Sequence, residues 1–194
     1  TEPLLQLLIE YVKDPMGRSR GLYHKSPQIR HCLTAIGDPA VKPLIDLIRR
    51  EAATLTKPDM QEFRSYRDNP IFTDIERVLA DIRSPVVVAA LIDLLKDDNC
   101  GLRGWSCAVL GDISNNTALP SLITTVIKDP SRDVREAAGS ALQNYMPVTV
   151  FEPLVEEMKK SNESNLNEAK WVVECIVKNS VGKLSDSLFC DDPV

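Results

Sequence analysis

One apolar motif recurs five times along the chain, and that recurrence limits the fold more than any other feature. Its copies are Pro3-Leu4-Leu5-Gln6-Leu7-Leu8, Pro43-Leu44-Ile45-Asp46-Leu47-Ile48, Ala90-Leu91-Ile92-Asp93-Leu94-Leu95, Ser121-Leu122-Ile123-Thr124-Thr125-Val126 and Pro153-Leu154-Val155-Glu156-Glu157-Met158. Counted from the leading leucine, each has apolar residues at i, i+1 and i+4, and most at i+3. That is one stripe of an amphipathic helix. The last three leading leucines stand at 91, 122 and 154, in steps of 31 and 32 residues. Such a period suits a helical hairpin and is too short for a strand–helix–strand unit with long helices.

A second apolar helix precedes each late copy. Leu79, Leu110 and Leu142 lie 12 residues before Leu91, Leu122 and Leu154. Ile71, Leu102 and Val134 lie a further 8 residues back, about two helical turns, and so share a face with them. Turn chemistry separates the two helices: Gly37-Asp38-Pro39, Arg83-Ser84-Pro85, Ser114-Asn115-Asn116 and Met146-Pro147. A single hairpin cannot bury such a stripe alone, whereas stacked hairpins share one continuous core. The chain is therefore expected to be all-α, an α-solenoid of about five hairpins over residues 1–184, followed by a polar tail over 185–194.

Composition agrees. Hydrophobic residues make up 43% of the chain, enough to build a core, but aromatics only 5%, so Leu, Ile, Val and Ala must fill it. Eight glycines are few for a turn-rich β fold. The five cysteines (Cys32, Cys100, Cys107, Cys175 and Cys190) show no C-x-x-C spacing and read as buried free thiols of a reducing compartment. No run is apolar enough to span a bilayer; the longest, Pro85 to Leu95, is interrupted by Asp93. Thr1-Glu2-Pro3 does not open a signal peptide, and the expected location is cytoplasmic.

The motif Leu110-Gly111-Asp112-Ile113, then Ala118-Leu119-Pro120-Ser121-Leu122-Ile123, then Asp129-Pro130 and Asp133-Val134-Arg135-Glu136-Ala137-Ala138, resembles the HEAT-repeat family. Within it the chain is most similar to the short HEAT-like repeats named after phycobilisome lyases. The resemblance implies a right-handed superhelix whose second helices line the concave surface. It also implies that Arg30, Arg103 and Arg135, each following an apolar residue, are structural arginines bonding across repeats near Asp98 and Asp129.

Function is sought where the repeat is broken or exposed. Two insertions, Asp14 to Ser26 and Glu51 to Asn69, join the second helix of one repeat to the first helix of the next. They are expected to meet as a lip carrying Arg18, Arg20, Tyr23, His24, Lys25, Phe63, Arg64, Tyr66 and Arg67. Arginines mixed with aromatics suit an acidic, planar or phosphate-bearing partner; the bland alternative is a pair of solvated loops. On the second helices, Gln6, Asp46, Asp93, Thr124 and Glu156 form one column, and Ile9, Arg49, Lys96, Ile127 and Lys159 the next. Asp46/Arg49, Asp93/Lys96 and Glu156/Lys159 read as i,i+3 ion pairs of a mixed-charge groove for a partner protein. Trp105 and Trp171 read as fillers between helices, or as partner anchors if exposed.

No phosphate loop, dinucleotide fingerprint, nucleophile elbow or H-E-x-x-H motif is present, so the sequence calls for no catalytic residues and no cofactor. A zinc or iron site from Asp14, His24, His31 and Cys32 rests on spacing alone. The net charge of −5 disfavours a nucleic-acid backbone as partner. The leading expectation is a non-enzymatic scaffold for another protein, with no membrane partner. The resemblance implies an alternative, a bilin lyase acting on a phycobiliprotein, in which Arg18, Arg20 or Arg64 would grip the propionates.

Overall fold

A computed structural model of the protein describes residues 26–54 and 69–161, with Pro3 and the helical residues 167, 169–175 and 177–178. The elements are α1 (Ser26–Ile36), α2 (Asp38–Thr54), α3 (Pro70–Ile82), α4 (Pro85–Leu94), α5 (Cys100–Ile113), a 3-10 turn (Asn116–Ala118), α6 (Leu119–Lys128), α7 (Arg132–Leu142) and α8 (Pro147–Lys160). Among the described residues there is no strand. The fold is an α-solenoid of consecutive helical hairpins: α1/α2, α3/α4, α5/α6 and α7/α8.

Each hairpin turn follows from local chemistry. Gly37, Arg83 and Ser114 end the first helices in the left-handed region, with φ of 71°, 50° and 53°. The chain is thereby turned sharply enough to start the second helix at once. Ser84 then caps α4, its side chain accepting from Val87 N, with Pro85 in the first turn. Asn69 and Asn99 cap α3 and α5 in the same way.

The predicted apolar positions form the core. Leu79, Leu110 and Leu142 are fully buried, as are Leu91, Leu122 and Leu154; Ile71, Leu102 and Val134 are buried with them. First helices stack on first helices (α1 on α3, α3 on α5, α5 on α7), and second helices follow suit (α2 on α4, α6 on α8). The most extensive contact joins α5 to α7. It depends on Gly111, where an added Cβ would lie 2.8 Å from the Ala141 Cα.

A buried ion pair ties α5 to the turn that leads from the third hairpin into the fourth. Arg103 on α5 reaches Asp129 at the end of α6 through two bonds, Nε to Oδ2 at 2.8 Å and Nη2 to Oδ1 at 3.0 Å. Its Nη1 donates to the backbone carbonyls of Asp97 and Asp98. Arg135 takes the same place one hairpin later, its Nη1 donating to the carbonyls of Asp129 and Pro130. Arg30 does not belong to this set. It lies 3.8 Å from Asp74, on the neighbouring first helix α3. The equivalent of Arg103 in α3 is Phe72, which meets the fully buried Trp105 edge-on, with ring centroids 5.8 Å apart and planes at 84°. One hairpin thus replaces the arginine with an aromatic pair.

Tyr145 closes the turn before α8. Its hydroxyl lies 3.2 Å from both the Leu110 and the Asn115 carbonyl oxygens. Burial pushes its pKa up to about 12. An unfolded tyrosine titrates near pH ~10. Between those values the unfolded chain has released a proton that the folded chain retains, so stability is full below pH ~10 and falls as pH rises through the window. Tyr145→Phe should flatten that decline and cost about 1 kcal/mol at neutral pH, as read by urea melts on both sides of pH ~10.

Cysteines depart from the expectation of burial. Among the described cysteines Cys107 alone is buried; Cys100 and Cys175 are partly exposed and Cys32 is exposed. The thiol of Cys107 has its pKa raised, chiefly by burial.

Candidate functional site

The second helices carry the outward side chains expected to form a groove. Asp46 is half-buried; Arg49, Asp93, Lys96, Thr124, Glu156 and Lys159 are exposed. Ile127 departs from its predicted column. It is buried, and the exposed cation at that end of α6 is Lys128. Residues 51–54 continue α2 rather than opening an insertion. The nine lip residues, Arg18 to Lys25 and Phe63 to Arg67, lie outside the described residues, as do Gln6, Ile9, Asp14 and His24. His31 and Cys32 are exposed on α1, and among the described residues no group of three or more His, Cys, Asp or Glu is placed to hold a metal.

The expected pairs Asp46/Arg49, Asp93/Lys96 and Glu156/Lys159 do not form, and Arg49 and Lys128 pair with the next hairpin instead. Arg49 on α2 reaches Asp93 at 3.5 Å and Asp97 at 3.4 Å, both belonging to the α4 end of the next hairpin. Asp46 is taken by Lys42, one turn earlier, at 2.7 Å. Lys128 on α6 reaches Glu157 on α8 at 3.2 Å. The physical reason is reach: stacked second helices bring a long cation near the end of one helix over the carboxylates of the next. Exposed pairs of this kind contribute only about 0–1 kcal/mol each.

The step from α4 to α6 is the exception. Thr124 stands where the neighbouring second helices carry Asp93 and Glu156, and its hydroxyl donates to the Pro120 carbonyl. Lys96 therefore has no carboxylate facing it at the equivalent position. On the exposed side of α4 and α6, Val86, Ala89, Pro120 and Thr124 are all uncharged. The face thus has an uncharged middle, one cation at its edge and ion-paired flanks.

Residues 75–167 match the family model of HEAT repeats. The matched stretch begins inside α3 and runs past α8, so it takes in the three hairpins that carry the uncharged middle. No curated protein matches the chain. In the matched segment, sequence reasoning missed the apolar end of the second-helix face. Phe151 on α8 is 40% exposed, whereas its spacing equivalents Val41, Val88 and Leu119 are buried. Met146 and Val148, just before it, are more exposed still. The signal available was positional: among the described residues no further second helix follows α8 to cover that column. No described helix is long and apolar enough to cross a membrane.

Proposed function

We propose that the protein is a non-enzymatic scaffold that holds a segment of another protein along its second-helix face. The observation that carries this reading is the gap in the charge ladder between α4 and α6. Arg49 and Lys128 each meet a carboxylate on the next hairpin, and Lys96 stands between those two pairs. At the gap, the small and apolar side chains Val86, Ala89 and Pro120 are left open to solvent, with Lys96 beyond the end of α4. A peptide laid there would place an apolar residue over Val86, Ala89 and Pro120 and an acidic one against Lys96. HEAT repeats generally serve protein interaction, which agrees. Lys96→Glu should weaken partner binding about tenfold or more while leaving the fold intact, since it adds like charge opposite an acidic partner residue. Binding titration against the captured partner measures this; unchanged affinity would remove the gap from the site.

The basic and aromatic insertions, with Arg18, Arg20 and Arg64, are the second part of the proposed surface. A pull-down from native lysate with Arg18→Glu, Arg20→Glu and Arg64→Glu tests them separately from Lys96→Glu. The likeness of the 110–138 motifs to phycobilisome-lyase repeats supports an alternative, handling of a bilin on a phycobiliprotein. A visible absorption change on mixing with bilin and apo-phycobiliprotein would favour it.

A further inference from the structure

Three positions of the motif are buried on every second helix before α8: the leading leucine, the residue three before it and the residue four after it. They are Val41, Leu44 and Ile48 on α2, Val88, Leu91 and Leu95 on α4 and its end, and Leu119, Leu122 and Val126 on α6. On α8 the leading Leu154 is fully buried, but Phe151 is 40% exposed and Met158 only partly buried. Beside them lies a groove of about 400 Å³, lined by the apolar Val155, Met158 and Val173 and the charged Lys159, Lys170 and Glu174. A stacked array leaves such a column open only where a second helix is still to be added.

The first helix of a further hairpin is already in place. Ala169 and Val172 are fully buried. A Cβ added to Gly139 on α7 would lie 3.1 Å from Val172 Cγ2, so these residues stack on α7 as α7 stacks on α5. Val172 stands 12 residues before Leu184, as Leu79, Leu110 and Leu142 stand before Leu91, Leu122 and Leu154. Counted from Leu184, Val181 takes the position of Val41, Val88, Leu119 and Phe151. Leu188 takes that of Ile48, Leu95, Val126 and Met158, and Asp186 joins the column of Asp46, Asp93 and Glu156. Ser185 and Ser187 interrupt the apolar run at i+1 and i+3, which hides this copy from a search on apolar density. Residues 179–194 lie outside the described structure. They are enough for a turn and a second helix of 10 residues, the length of α4 and of α6.

We propose that residues 181–189 of this chain dock on the Phe151–Met158 column as the second helix of a fifth hairpin. Charge supports this occupant. Arg49 meets Asp93, which stands in the acidic column of the next second helix. In the same register the exposed Lys159, in the column of Arg49, meets Asp186. The apolar end of the second-helix face is then an internal contact, and a partner reaches Phe151 only by displacing 181–189.

The test is amide exchange of the full chain at several protein concentrations. The expected result is protection of residues 184–189 that does not change with concentration. Phe151→Asp, at a residue already exposed, should speed exchange there about tenfold or more, while α5 and α7 keep their protection and so report that the array still folds. Leu184→Asp should do the same from the other side of the contact. Asp186→Lys should speed it about twofold, and Lys159→Glu added to Asp186→Lys should restore it. Exchange at 184–189 as fast as in the isolated peptide of that sequence would overturn the proposal, as would protection that Phe151→Asp leaves intact. Protection that grows with concentration, together with a doubled mass in light scattering, would overturn it in favour of a second copy of the chain.

Discussion

Asp129→Ala should lower stability by about 3–5 kcal/mol, because it strands a buried cation. The side chains of Arg103 and Asp129 are only 11% and 6% exposed. The hydrogen bond to Asp129 raises the pKa of Arg103 against the opposing effect of burial, so the guanidinium stays charged. Without the carboxylate, two charge-assisted bonds vanish and nothing replaces them. Asp129 Oδ1 also accepts from Ser131 N at 2.9 Å, which shapes the turn into α7. The loss should therefore be local as well as large. In a linear array a damaged joint weakens its neighbours first. Amide exchange should accelerate in α7 and α8 well before α1 and α2. Urea melts supply the magnitude. Replacing the pair together, Arg103→Met with Asp129→Leu, should recover much of the loss, since an apolar pair carries no stranded charge. A single variant as stable as wild type would mean that the pair does not hold the turn between the hairpins.

Gly111→Val should be comparably damaging, for a steric reason. Glycine in mid-helix normally costs about 0.5–1 kcal/mol relative to alanine, so its replacement usually helps. Here the sign reverses. The new Cβ would stand 2.8 Å from the Ala141 backbone and 2.9 Å from its side chain, and backbone cannot yield as a flexible side chain does. The helices α5 and α7 must separate along their most extensive contact. Overpacking of this kind costs about 1–3 kcal/mol, and valine should reach the upper end. Gly111→Ala should fall below it but still destabilise. Thermal melts of the two variants rank them directly.

Much of this architecture was legible from spacing alone. The leading leucines of both helices in the last three hairpins are all fully buried, because a 3.6-residue period and a repeat near 31 residues leave no other place for them. The Arg103–Asp129 bond was also readable, since it belongs to the repeat itself. Three features were not. Arg30 shares its sequence context with Arg103 but sits one turn out of register, so it meets Asp74 instead. Ile127 was assigned to the exposed column, but α6 starts from a 3-10 turn, and Lys128 takes the outward place. The ion pairs were read within helices, yet side-chain reach carries Arg49 and Lys128 to the next hairpin. Each miss turns on a shift of a residue or a few ångströms that periodicity does not resolve. The insertions are a different matter. Their composition drew attention to residues 14–26 and 51–69, of which residues 26, 51–54 and 69 lie within the described structure.

The central claim is that a partner protein lies along the second helices. Backbone amide exchange of the chain, with and without the partner captured from native lysate, tests it most directly. The account predicts slower exchange in α4 and α6 around Ala89, Lys96 and Thr124, and little change in the outward turns of α3 and α5. Protection confined to the first helices, with α4 and α6 exchanging as in the free chain, would contradict it.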